Sequence, residues 1–170
     1  MKKLWSPWRS HYIESFKTKN DSDACVFCES QKLSIDSDKS LVVYENKNCF
    51  VMLNLYPYNS GHLMVIPYRH VSELSALKDK EIDEIMRTVQ MSFKALSATA
   101  KPQGYNFGAN FGKAAGAGID AHLHFHIVPR WNGDTNFMPA LGEVKIISQD
   151  LLVTKKNLIK AFKKLSKKKS

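Results

Sequence analysis

The chain has 170 residues, 44% of them hydrophobic, which suffices for one well-buried core and is short for two at about 100 to 200 residues per domain. Its formal net charge is +9, but eight lysines lie between Leu151 and Ser170 with no acid among them, leaving 17 basic and 16 acidic residues in the first 150. Basicity is thus a property of the tail and gives no reason to expect nucleic acid as a partner; with no apolar run approaching the roughly 18 residues of a membrane span and no signal-like block in Met1 to Arg9, a cytoplasmic protein without a membrane partner is expected.

Residues 1–24 read as an aromatic extension. Trp5, Trp8, Tyr12 and Phe16, broken by Ser6-Pro7 and followed by a polar run to Asp23, suit a clip packed on the outside of a core. Cys25-Val26-Phe27-Cys28 comes next. In a reducing compartment this spacing fits a redox pair, half a zinc site or two small buried residues. It lacks the preceding apolar strand and clear following helix of a thioredoxin-like pair, and a tetrahedral zinc would need two more donors from elsewhere. Cys49, alone in an apolar run, reads as a buried small residue.

Leu41 to Tyr44 and Cys49 to Leu53, joined by the polar turn Glu45 to Asn48, predict a hairpin. After Asn54 and the turn-rich Tyr56 to Gly61, His62 to Pro67 predicts a third strand. Ile82, Ile85, Met86, Val89, Phe93 and Leu96 recur at steps of three and four, so Asp79 to Ala100 reads as an amphipathic helix. Asp79 suits its N-cap, Glu81 and Asp83 the positive end of its dipole, and Pro102 its end. Tyr105 to Phe111 predicts a fourth strand. The order strand, strand, strand, helix, strand, strand contains no repeated crossover, so the expected class is α+β, with an antiparallel sheet of about five strands and the long helix across one face. A second stripe, Leu151, Leu158, Ile159, Phe162 and Leu165, suggests a solvated C-terminal helix fraying into Lys167 to Lys169, in a basic tail over 148–170.

The chemistry concentrates in Gly116 to Arg130. His122, His124 and His126 alternate with Leu123, Phe125 and Ile127, the period of a strand with one apolar and one functional face. Three adjacent core imidazoles would leave several ring nitrogens to be paired without water, so a catalytic or metal site is the better reading. Phosphate fits as well as metal does, because Gly116 and Gly118 allow main-chain NH groups to approach anionic oxygens.

The run His-Leu-His-Phe-His-Ile-Val-Pro-Arg matches His-x-His-x-His with apolar x, and over roughly residues 25 to 139 the chain resembles the histidine triad nucleotide-binding proteins. Asn54, His62 and Gly133-Asp134 are most similar to the branch with the fragile-histidine-triad dinucleoside polyphosphate hydrolases and some bacterial diadenosine tetraphosphate phosphorylases. That resemblance implies a domain over 25–147 and a homodimer with a continuous sheet. It implies a hydrolase acting at the α-phosphate of dinucleoside polyphosphates, adenine nucleotides foremost. The alternatives are a phosphorylase with phosphate as acceptor and a nucleotide-binding module without turnover. His124 is implied as the nucleophile, its second ring nitrogen held by a main-chain carbonyl such as that of His122, with His126 and His62 assisting. Asn54, Asn110, Gly116, Gly118 and His122 are implied nucleotide contacts. His70 and His122 are implied to complete a structural zinc site with Cys25 and Cys28, and no organic cofactor is expected. A rival reading has the three triad histidines holding a catalytic zinc.

Overall fold

The computed structural model describes residues 24–134 and 150–167. The aromatic extension, Thr135 to Met138 and Lys168 to Lys169 lie outside the described residues. Five strands, β1 (Val42–Glu45), β2 (Cys49–Leu53), β3 (Leu63–Pro67), β4 (Gly104–Gly108) and β5 (Phe125–Arg130), form one antiparallel sheet in the order β1-β2-β3-β5-β4. With it are helices α1 (Val26–Ser30), α2 (Asp79–Ala100) and α3 (Leu151–Lys167). The α+β architecture read from the sequence is the one found.

Every residue of β2 and β3 is buried, because both faces of the sheet are covered. Val51, Leu53, Leu63 and Val65 meet Ile85, Val89 and Leu96 of α2 in one cluster, while Phe50, Met52, Met64 and Ile66 join Phe27 of α1 in another. A strand covered on both faces reads as a continuous apolar run, which is why these two show no alternation. Met64 is paired with His126 across the β3/β5 ladder, so His126 lies on the α1 face, away from the long helix. The turn into β3 depends on Gly61, whose φ of +77° suits glycine and where a Cβ would lie 3.2 Å from Leu96.

The triad strand is shorter than its alternation suggests. β5 begins at Phe125, and His122 and His124 lie on its approach, where Leu123 donates its N–H to the carbonyl of Val71 at 2.6 Å. β4 likewise stops at Gly108, short of Phe111, and forms the sheet edge. A five-residue helix, α1, follows Cys25, although the sequence offered no clear signal for it.

α2 has the bounds its periodicity indicates, but its N-cap is Lys78 and Asp79 is the first helical residue. The reason is Glu81. Its carboxylate accepts the Lys78 N–H at 2.8 Å and two bonds from Arg69, Nε at 2.8 Å and Nη2 at 2.7 Å, while Arg69 also donates to the Ala76 carbonyl. This ties the turn after β3, where His70 sits, to the start of α2.

The C-terminal helix is not a solvated appendage. Leu158 and Phe162 are 1% exposed in the main core, Phe162 stacks on Tyr44 with centroids 4.9 Å apart, and buried Lys155 donates to the Ser37 carbonyl at 2.7 Å. Burial holds the Lys155 ammonium below its ordinary pKa. Cys49 is buried as expected, and burial pushes its thiol up to about 11.

The Arg69 hydrogen bonds pull the Glu81 carboxyl down to about 2, against 4.5 for a free carboxyl. A carboxylate with a depressed folded-state pKa stabilises the fold above pH 4.5, and the contribution disappears as pH falls through about 2. Glu81→Gln should therefore cost about 2 kcal/mol at pH 7, since one charge-assisted partnership is lost while Arg69 remains partly solvated. In denaturant titrations the gap between parent and variant should narrow steadily between pH 4.5 and pH 2.

Candidate active site and metal centre

Cys25, Cys28, His70 and His122, distant in sequence, come together with their ligand atoms all within 4.8 Å of one another. Cys25 Sγ lies 3.3 Å from His122 Nδ1, Cys28 Sγ 3.3 Å from His70 Nδ1, and Cys28 Sγ 3.6 Å from His122 Nδ1. Bonds of about 2.3 Å to sulfur and about 2.0 Å to nitrogen around a tetrahedral ion separate S from N by about 3.5 Å. The spacing therefore fits a single metal ion. His122 Nε2–H donates to the Pro67 carbonyl at 2.9 Å, which leaves its Nδ1 lone pair directed at the thiols, the outer hydrogen bond usual for a ligating imidazole. These four residues could hold a metal. The triad histidines do not converge on one, because both nitrogens of His122 are engaged, Nδ1 at the thiols and Nε2 at the Pro67 carbonyl, while His126 Nδ1 is bonded to His62.

His124 is 6% exposed, and its Nδ1–H donates to the His122 carbonyl at 2.9 Å. Its Nε2 is thereby left with the lone pair. Burial lowers its pKa, opposed in part by the same hydrogen bond, so the ring is neutral near pH 7. The Phe27 ring packs against it with centroids 4.9 Å apart.

A main-chain amide can only donate, so the 3.1 Å bond from Tyr58 N–H makes His62 Nδ1 an acceptor. Its proton is then on Nε2, which donates to His126 Nδ1 at 3.0 Å and sets the His126 proton on Nε2. Tautomers along the pair are fixed by one amide. Asn54 supports the same turn, with its side-chain carbonyl accepting from Tyr56 N–H at 3.0 Å and its amide 3.4 Å from His62 Nδ1. It combines a turn-forming part with a place on the cavity wall.

A cavity of about 440 Å³ opens on this face. His124, His126, Asn54, Asn110, Gly116 and Gly118 all line it. His122 does not, so of the two roles the sequence offered it, geometry brings it only to the metal cluster. The apolar wall, Phe27, Met52, Met64 and Ile119, went unnoticed in the sequence as a binding surface. Its signal was available: even-numbered positions of β2 and β3 must share the face of His62 and His126. A second oversight is Asp134, which the sequence offered only as part of the family resemblance and without a structural role. Its carboxylate accepts from Arg130 Nε and Nη2, both at 2.7 Å, from Trp131 N–H and from Asn59 Nδ2 at 2.8 Å. It clamps the end of β5 to the turn that carries His62.

The HIT domain model matches residues 36–133. The chain belongs to the HIT domain family. Its sequence is 42% identical over 163 residues to the AP-4-A phosphorylase of Mycobacterium tuberculosis strain H37Rv, covering 93% of this chain and 83% of that protein. It is 32% identical to the adenosine 5'-monophosphoramidase of Schizosaccharomyces pombe over 64% of this chain and 76% of that one. Among solved structures, a Zn-bound histidine triad family protein from Mycobacterium smegmatis superposes with a TM-score of 0.67 at 27% identity, covering 85% of this chain and 96% of that chain.

Metal occupancy should be coupled to folding, because the four donors come from segments that the ion would tie together. For a site selective for the folded state, each tenfold excess of metal over its dissociation constant should add about 1.4 kcal/mol of stability. Cys28→Ser should lower both the metal content by elemental analysis and the melting temperature in metal-replete buffer. The melting difference should shrink after exhaustive chelation.

Proposed function

We propose that this HIT protein cleaves dinucleoside polyphosphates, such as diadenosine tri- or tetraphosphate, at the α-phosphate by way of a nucleotidyl-His124 intermediate. The observation that carries this reading is the His124 ring, buried beside the cavity with Nδ1–H given to the His122 carbonyl. Such a ring offers a neutral nucleophile that needs no prior deprotonation, and the carbonyl offsets the positive charge that attack creates. Nε2 bonds to the α-phosphorus, and the anhydride oxygen departs. His126, its Nε2 proton fixed through His62, donates a hydrogen bond to a phosphate or leaving oxygen. Main-chain NH groups near Gly116 and Gly118, with Asn110, stabilise the remaining negative charge.

The nucleoside is held on the other side of the cavity. A base fits among Phe27, Met52, Met64 and Ile119, and Asn54 meets the ribose; the volume lies within the range of small-molecule sites, about 300 to 1,000 Å³. The two named enzymes among the relatives support an adenine nucleotide. Water was the first choice of acceptor from the sequence, while the relative named AP-4-A phosphorylase, which spans nearly the whole chain, supports inorganic phosphate. Both routes share the first step.

Zinc is the metal that the two thiolates and two imidazoles suit, and a Zn-bound family member with the same fold supports it. Its contribution is to brace the approach to β5, so that the His122 carbonyl stays aimed at His124. No organic cofactor enters this scheme. We further infer a cytoplasmic homodimer with neither membrane nor nucleic acid as partner. The dimer joins β4 edges into a continuous sheet, since the last three residues of this edge strand are exposed, Phe107 at 41%, and an open edge is a template for pairing.

His124→Ala should lower turnover of diadenosine tetraphosphate by at least about 10³-fold while leaving nucleotide affinity within severalfold, because the remaining wall still holds the ligand. Two successive in-line displacements should retain configuration at a chiral α-phosphorothioate. Inversion would mean direct attack by the acceptor and no covalent intermediate. Sedimentation at micromolar concentration should give twice the chain mass, and a proline at Phe107 in β4, where the register turns the N–H away from β5, should shift the protein toward monomer.

A further inference from the structure

The substrate proposed above carries several negative charges beyond the scissile bond. Among the described residues that line the cavity, Lys113 alone has a fixed charge; apart from the two imidazoles the rest are apolar, aromatic, amide or glycine. Lys113 opens a 3-10 turn (Lys113–Ala115) between Gly112 and Gly116, both at positive φ, in the loop that also carries Asn110 and Gly118. It therefore belongs to the glycine loop whose main-chain NH groups the proposed function assigns to phosphate oxygens. Its side chain is 86% exposed, and its ammonium lies 3.9 Å from an Asp120 carboxylate oxygen. An exposed pair at that distance holds a lysine weakly. The ammonium can exchange Asp120 for a phosphate oxygen at little cost.

We propose that Lys113 is the specificity-determining residue for the polyphosphate beyond the scissile bond, and that it also receives the inorganic phosphate that discharges the nucleotidyl-His124 intermediate. The inference rests on the proposed function and extends it to the choice of acceptor. In the first displacement, His124 Nε2 forms a bond to the α-phosphorus and the bond from phosphorus to the bridging oxygen breaks. Its electron pair leaves on the nucleoside polyphosphate, whose charge the Lys113 ammonium offsets. In the second, an in-line acceptor must approach opposite the new P–N bond, on the side the leaving group has vacated. A phosphate oxygen then bonds to phosphorus, the P–N electron pair returns to Nε2, and a nucleoside diphosphate is released. Water takes the same path and gives a nucleoside monophosphate and a proton.

A cation on that path concentrates an anionic acceptor and does nothing comparable for neutral water. Phosphorolysis and recognition of the long polyphosphate are thus served by one side chain. Lysine suits the task because its ammonium is a mobile point charge on a flexible stem, able to follow either a departing chain or an entering phosphate.

The test compares parent, Lys113→Ala and Lys113→Arg with two substrates, diadenosine tetraphosphate and adenosine 5'-phosphoramidate, whose leaving group is uncharged ammonia. Inorganic phosphate is varied from none to tens of millimolar, and AMP and ADP are quantified. The ratio of kcat/KM for the tetraphosphate to that for the phosphoramidate should fall at least about tenfold in Lys113→Ala, the worth of one charge-assisted contact, and return largely in Lys113→Arg. At fixed phosphate, the ADP to AMP ratio should fall by a similar factor. Equal losses on both substrates, or an unaltered product ratio, would overturn the role of Lys113. A parent enzyme that gives only AMP from the tetraphosphate at every phosphate level would overturn the acceptor half of it. If the parent releases neither nucleotide from either substrate, it is the proposed function that fails, a result distinct from a normal parent with an indifferent Lys113→Ala variant.

Discussion

His122 is the residue through which the two halves of the site are joined. One ring nitrogen faces the thiols of Cys25 and Cys28, the other is bonded to the Pro67 carbonyl, and its own main-chain carbonyl holds His124. A buried imidazole satisfied at both nitrogens has one orientation, and the next-but-one residue along an extended chain inherits it. The orientation of the His124 ring is thereby set by contacts that lie outside the cavity. The Arg69 and Glu81 pair extends the same logic to His70, fastening its turn to the start of the long helix.

Division of labour between the sheet faces follows from strand alternation. Odd positions of β2 and β3 meet the long helix and supply most of the core, while even positions build the wall against which a nucleoside can lie. His62 and His126, on β3's approach and on β5, share that second face because antiparallel partners point the same way. Asp134, gathering Arg130, Trp131 and Asn59, keeps the two strand ends from separating. Main-chain supports thus surround a cavity in which Lys113, the one fixed charge among the described lining residues, sits on a flexible stem.

Legibility in the sequence tracked the range of the interactions involved. Local periodicity was enough to place α2 to the residue, whereas the His124 hydrogen bond to the His122 carbonyl was expected from the resemblance to histidine triad proteins. The four-residue metal cluster was reachable only by likeness to other proteins, since nothing local connects Cys25 to a histidine 97 positions away. Long-range packing was misjudged where local composition was strongest: the lysine-rich C-terminal helix looked solvated, yet Leu158 and Phe162 enter the core. Alternation overstated β5, because imidazoles that serve a ligand site need an extended chain but not a ladder partner. The apolar wall went unseen for a related reason, as Met52 and Met64 look like any core residues until the opposite face is known to carry helix α2.

The central claim is that the nucleotide is transferred first to His124 Nε2. Rapid mixing of the protein with diadenosine tetraphosphate, quenching in base where a phosphorus–nitrogen bond survives, and peptide mass spectrometry would test it directly. The account predicts a transient increase of one adenylyl group on the peptide containing His124, formed and lost at rates compatible with turnover and carried by that imidazole. An enzyme that turns over fully while no adenylylated peptide forms, or that carries the group on a residue other than His124, would contradict it.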